Sequence, residues 1–202
     1  MKIVYRKIPN FQKEILFHPI RDKIDYIKVL LKSIEILLLE DYDKDTEAFM
    51  KLIVQKMNRL FFYSECKYFS ISFPFNVSLN SNNQIYEINT YMGKTLTLEV
   101  ISAIFAILNN NEYKINKSLI YLDIDYIEIK GVEILEELLL IEPCYVRYDY
   151  DKKNENGKLH PLHHLDINYS KYGTFKLGLS KPFCDKNFED FHNIETDCFF
   201  IN

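Results

Sequence analysis

The amino-acid sequence predicts an α+β fold, a helical N-terminal half packed on a mostly antiparallel sheet with a C-terminal helix. Three observations carry that expectation. Apolar residues at three- and four-residue steps cluster before residue 110, and segments with a period of two cluster after it. Helices mainly before residue 110 and strands after it suggest an antiparallel sheet rather than alternating strand–helix–strand units. The chain of 202 residues is 48% hydrophobic, enough for one sizeable core, so a single domain over 1–202 is expected.

In chain order, Ile20, Ile24, Ile27, Leu31, Ile34 and Leu38 form an amphipathic stripe that Asp22 is placed to cap, predicting the first helix. A second helix is expected after Asp45 and Thr46, with Phe49, Leu52, Ile53, Lys56, Leu60 and Phe61 on one stripe. Tyr68 to Phe75 reads as a strand, because Phe69, Ile71, Phe73 and Phe75 alternate with Tyr68, Ser70 and Ser72. A third helix spans Thr97 to Leu108 and stops at Asn109-Asn110-Asn111. In Leu119 to Lys130 the apolar parity changes from Ile120, Leu122 and Ile124 to Ile127 and Ile129, which predicts a strand with a bulge or turn near Tyr126. Val132 to Leu140 fits a short helix or a buried strand. Cys144 to Asp151, Leu162 to Tyr169 and Thr174 to Ser180 read as three strands, and a helix from Asp185 to about Glu195, capped by Asp185, buries Phe188 and Phe191.

Fifteen Tyr and fifteen Phe, with only five Gly and six Pro, argue against disorder and long linkers. The formal net charge of −4 gives the chain as a whole no attraction to a phosphate backbone, so nucleic-acid contact needs a local basic patch. The densest lysine group, Lys152, Lys153 and Lys158, lies among Asn and Glu and reads as a solvated loop. Cys66, Cys144, Cys184 and Cys198 form no closely spaced pair, so reduced thiols in a cytoplasmic protein are expected, with Cys144 a buried, inert thiol. No signal-peptide core follows Met1, no apolar run is long enough to span a membrane, and no glycine-rich nucleotide-cofactor loop is present.

Chemistry concentrates near the C-terminus. Three of the five histidines fall in His160-Pro161-Leu162-His163-His164, just after Arg147-Tyr148-Asp149-Tyr150-Asp151. Side chains alternate along a strand, so Arg147, Asp149 and Asp151 share one face, and His164 and Asp166 share one face of the next strand. If these strands, within 144–180, form a hairpin, the polar faces coincide because both apolar faces seek the core. One register sets Asp149 opposite Asp166 and Asp151 opposite His164; the two carboxylates then repel unless a proton or cation intervenes, and a shift of two residues removes the conflict. His160 belongs at the strand entrance, since Pro161 cannot join a ladder. His163 has the parity of Leu165 and is expected on the apolar side as a hydrogen-bonded core imidazole.

Two chemistries fit. In one, His160, His164 and Asp166, with Asp149 nearby, hold a divalent metal whose bound water becomes the nucleophile. In the other, His160 and His164 act as general base and acid while Arg147 stabilises charge on a phosphate, as transesterification of RNA requires. A structural polar network is the bland reading of the same residues.

The stretch also resembles the bacterial family of the domain of unknown function 2290 type, whose pattern is an RY-acidic-YD strand, a short polar loop, an HPxxHLHI segment, a strand, and a Pro before a Phe-containing helix. The matching residues are Arg147-Tyr148-Asp149-Tyr150-Asp151, His160-Pro161, His164-Leu165, Ile167, Pro182 and Phe188, about sixty residues of the chain. Asp166 stands where that family has its second histidine, and Lys176 where an Arg is expected. Asp can replace His as a metal ligand but not as an acid near pH 7 unless its pKa is raised. The resemblance implies no established activity; proteins with similar RYD-plus-histidine C-terminal strands look like members of toxin and phage-defence neighbourhoods, which favours a nuclease by analogy. The resulting expectation is an intracellular ribonuclease-type enzyme using His160, His164, Arg147, Asp149 and Asp166. The alternative is a non-catalytic subunit that binds a protein partner in a defence or toxin–antitoxin complex.

Overall fold

The computed structural model describes residues 1–39, 46–119 and 126–199. The chain enters on a strand, β1 (Lys2–Lys7), followed by a short helix, α1 (Asn10–Leu16), and the long α2 (Lys23–Leu38). Asp22 caps α2 by accepting from the Asp25 N–H, as its sequence pattern predicts. Then come β2 (Phe49–Val54), β3 (Arg59–Tyr63), β4 (Lys67–Ser72) and a hairpin of β5 (Phe75–Leu79) and β6 (Ile85–Thr90). The expected helix over Phe49 to Phe61 is therefore two strands. Its residues are buried on both faces, so Phe-Met-Lys-Leu-Ile-Val and Arg-Leu-Phe-Phe-Tyr carry no alternation, and a continuous apolar run matches a helical stripe by accident. The turn between them is fixed by Asn58, whose Oδ1 accepts from the Gln55 N–H. With strands on both sides of α2, the N-terminal half is not helical.

Thr97 caps α3 (Leu98–Asn109), and Asn110 both ends it and caps the short α4 (Asn111–Asn116), so the asparagine run stops one helix and starts another. Residues 120–125 of the expected strand lie outside the described residues. From Tyr126 the chain is helical, as α5 (Tyr126–Leu140), which resolves the ambiguous Val132–Leu140 stretch and replaces the expected bulge. Gly131 lets α5 approach α3 closely, since a Cβ there would meet Ala103 and Ile104 at 3.4 Å. The last elements are β7 (Val146–Tyr150), β8 (His163–Ile167), β9 (Phe175–Leu179) and α6 (Asp185–Phe191), all within the expected segments. Cys184, not Asp185, is the N-cap residue of α6; Phe188 is fully buried, whereas Phe191 is exposed.

The molecule is α+β. Among the described residues, seven strands form one antiparallel sheet in the order β1-β2-β3-β4-β7-β8-β9, and β5 and β6 form a separate pair. Leu52, Leu60, Phe62 and Phe69 point to one face, where they pack with residues of α2, α3 and α5 into the main core. Phe61, Tyr63, Val146, Tyr148 and Leu165 point to the other face and are covered by Phe188 of α6. Across the β4–β7 step Phe69 lies beside Arg147. The polar face of β7 and β8 is therefore the same sheet face that the N-terminal helices cover farther along. No helix of the described residues is long and apolar enough to cross a membrane.

Candidate functional site

The hairpin forms, and its polar faces coincide. The register differs from the expected one by two residues: Arg147 lies opposite Asp166 and Asp149 opposite His164. A guanidinium and an imidazole thus face carboxylates, and the like-charge pair of the other register is avoided. The Arg147 Nε donates to Asp149 Oδ2 at 2.8 Å, while Nη2 bonds Asp166 Oδ2 as well as Asp149 Oδ2. The Tyr145 hydroxyl accepts from Nη1 at 3.3 Å, and the Thr174 hydroxyl donates to the free oxygen of Asp166 at 2.7 Å. Burial by itself pushes the Arg147 pKa down, but the Tyr145, Asp149 and Asp166 oxygens outweigh it and raise it above the ordinary value. Lys67, beside Asp149 on β4, adds a second cation, and burial lowers its pKa against the pull of that carboxylate.

His164 is 1% exposed and Asp166 2% exposed, so these side chains are closed to solvent. A carbonyl oxygen only accepts, so the 2.8 Å contact of His164 Nδ1 with the Pro161 carbonyl places the proton on Nδ1. Nε2 then faces Asp149 Oδ2 at 3.7 Å, too far for a hydrogen bond. The loop that supplies the carbonyl is seated by Gly178, directly opposite His164 on β9: a Cβ there would stand 2.9 Å from Pro161 Cγ. A residue larger than glycine would push the proline away and release the histidine.

His160 lies at the rim, half-buried, with its ring edge-on to that of His164 at 4.7 Å between centroids. A carboxylate also only accepts, so His160 donates from Nε2 to Asp151 Oδ2 at 3.1 Å, and its Nδ1 accepts from the Lys176 ammonium at 2.9 Å. Asn154 holds Asp151 from both its side-chain and backbone N–H groups; these bonds, with His160, bring the Asp151 carboxyl down to about 2. All five expected site residues therefore gather on one patch, but only His160 is at the surface. Asp151, Lys176, Lys67, Tyr145 and Thr174 complete it. Strand parity already placed Asp151 on this face, whereas Thr174 and Lys67 become visible only with the strand order.

No family model, curated protein or solved structure matches the chain. The reading of the site therefore rests on its own geometry.

Among the described residues, one donor set for a metal ion forms: Asp149, His164 and Asp166, with ligand atoms within 4.8 Å of one another. Asp149 takes the place that the sequence offered to His160. A proton on His164 Nδ1, fixed by a carbonyl, is the arrangement that leaves Nε2 free to bind a metal. Against this, both carboxylates are already bonded to Arg147, so an entering cation must displace the guanidinium.

His163 lies on the apolar face as expected. It is half-buried, stacks on Tyr150 and contacts the Tyr148 hydroxyl through Nδ1 at 2.8 Å. Cys144 contradicts its expected burial. Its backbone is left-handed, with φ of +46°, and the thiol is exposed just before β7 begins. On the same apolar side a cavity of about 740 Å³ is lined by Arg59, Cys144, Asp190, His192 and Phe199, and by none of the five expected site residues. Burial, reinforced by Arg59, pushes the His192 pKa down to about 3.

Proposed function

We propose that the protein cleaves phosphodiester bonds in RNA by transesterification, with His160 as the base. The observation that carries this reading is the Asp151–His160–Lys176 arrangement at the rim. Asp151 fixes the ring and its tautomer, and the lone pair of Nδ1 accepts from an ammonium on an exposed stem. A phosphate that draws Lys176 onto its oxygens frees Nδ1. The base then takes the proton of a 2′-hydroxyl, the 2′-oxygen bonds to phosphorus, the bond to the 5′-oxygen breaks, and that oxygen takes a proton from water. The expected roles of His164 as acid and Arg147 as phosphate contact give way to positioning, because both are enclosed. With Asp149 and Asp166 they hold the two strands and the Pro161 loop on which His160 sits. The resemblance of the C-terminal third to a family with toxin-like neighbourhoods supports the reading by analogy only.

The test is cleavage of a labelled RNA by the purified chain with and without chelator. Cleavage that resists chelator and falls at least a hundredfold in His160→Ala, with the melting temperature unchanged, is the expected result. Chelator-sensitive cleavage would transfer the chemistry to a metal at Asp149, His164 and Asp166. A second reading is favoured by the enclosure of His164 and Asp166: a partner-binding subunit in which the network only holds the sheet. Absence of cleavage from a folded, metal-loaded protein would uphold it.

A further inference from the structure

Six lysines lie between Tyr150 and Lys181, at positions 152, 153, 158, 171, 176 and 181, and all are exposed. Of the three carboxylates between the same limits, Asp166 is buried and spent on Arg147, leaving Asp151 and Glu155 to face water. A chain with a net charge of −4 thus carries an excess of exposed lysines in the segment made of the β7–β8 loop and the outermost strand β9 with its flanks. Apolar rings stand at the same sheet edge. Tyr172, in the turn before β9, is fully exposed, and Phe175, at the start of β9 on the face opposite Lys176, is 74% exposed although its neighbours on that face, Leu177 and Leu179, pack into the core. Rings left in water forgo the burial that stabilises a fold.

Lysines mark one function and exposed rings another; together they suit a flexible polyanion with flat bases. Lys171 and Tyr172 sit at one end of β9, Lys181 at the other, and Lys176 between them touches His160. Five residues of strand extend about 17 Å at 3.3 to 3.4 Å per residue, a span of a few nucleotides. We propose that single-stranded RNA runs along the outer edge of β9 and straddles it, its phosphates on Lys171, Lys176 and Lys181 and two bases turned over the edge onto Tyr172 and Phe175, so that a phosphodiester reaches His160 on the Lys176 side. The inference rests on the ribonuclease reading for the purpose of the track, but the binding it describes is measured separately. Stacking accepts any base, so recognition is of single-stranded form rather than of sequence. An A-form duplex keeps its bases stacked inside and cannot use the rings.

The experiment is fluorescence anisotropy of the full chain with a labelled 2′-O-methyl oligouridylate, which lacks the attacking hydroxyl and stays intact. Expected are binding that weakens about tenfold in Tyr172→Ala and in Phe175→Ala, and a slope of log affinity against log salt that is shallower by about 1.4 in the double variant Lys171→Gln, Lys176→Gln. Equal affinity for duplex RNA, competition by an acidic polypeptide as strong as by RNA, or no binding would each overturn the track. Unchanged affinity in both ring variants would overturn it as well. Tight binding of the oligonucleotide without cleavage of ordinary RNA would leave the track standing and sink the catalytic reading instead. Melting curves of the variants, whose side chains lie outside the core, separate loss of binding from loss of fold.

Discussion

On one face of the β7–β8 ladder Arg147, Asp149, His164 and Asp166 meet in a closed ionic network, whereas on the other Val146, Tyr148 and Leu165 pack under Phe188. Both faces are buried, and both contain a histidine. They differ in what a vacancy costs. On the apolar face, removing atoms loses contacts and hydrophobic burial. On the ionic face, removing one partner leaves charges that the low-dielectric surroundings cannot solvate. The ionic face therefore specifies the register of the hairpin more sharply than the apolar one, because a slip of two residues preserves the apolar face and sets Asp149 against Asp166.

The largest effect is expected from Arg147→Met. It leaves two buried carboxylates facing each other and should cost about 3 to 5 kcal/mol in chemical denaturation. Adding Asp149→Asn and Asp166→Asn should restore most of that loss, because neutral amides need no counter-charge. A loss no larger than that of a methylene deletion on the apolar face, or no recovery in the triple variant, would show that the network is not what holds the ladder.

A smaller effect, of different character, is expected on the apolar side. His192 donates from Nδ1 to the Phe188 carbonyl at 2.7 Å, and its Nε2 has no partner among the surrounding rings of Phe61, Phe188 and Phe191. With its pKa pushed from 6.5 to about 3, the folded state resists protonation that the unfolded state accepts. Stability from this group is intact above pH 6.5 and falls as the pH drops toward 3, where the difference levels off. At pH 4 the loss should be about 3 kcal/mol. His192→Leu should remove that slope from the window while Arg147→Met retains it; parallel pH profiles for wild type and His192→Leu would refute the assignment.

The sequence disclosed these two faces unevenly. Strand parity alone divides Arg147 and Asp149 from Tyr148, and His164 and Asp166 from Leu165, because the period of a strand is independent of its neighbours. The register was not legible: parity admits every shift of two, and the choice depends on the Pro161 loop and on Gly178, which allows the proline to close over β9. Helices α2 and α3 were legible because their stripes begin at Asp22 and Thr97, residues that cap. Strands β2 and β3 were not, because central strands lose the polar half of their alternation. Cys144 went astray through a single left-handed residue, which no periodicity marks.

The smallest effect is the sharpest comparison of the two faces, because each offers one hydroxyl for deletion. Tyr148→Phe removes the group in contact with His163 Nδ1 at 2.8 Å. The half-buried imidazole can turn to water, so the cost should be about 0.5 to 1.5 kcal/mol. Thr174→Val removes the hydroxyl that donates to Asp166 Oδ1 at 2.7 Å. There the abandoned acceptor is a charged carboxylate with almost no contact with water, and the cost should be about 1.5 to 3 kcal/mol. Raising the salt concentration should change the Thr174→Val value little, since the Asp166 site is buried. If the two deletions cost the same, the ionic face is more hydrated than its burial implies, and the enclosure that assigns Arg147 and His164 to positioning rather than to contact with substrate falls with it.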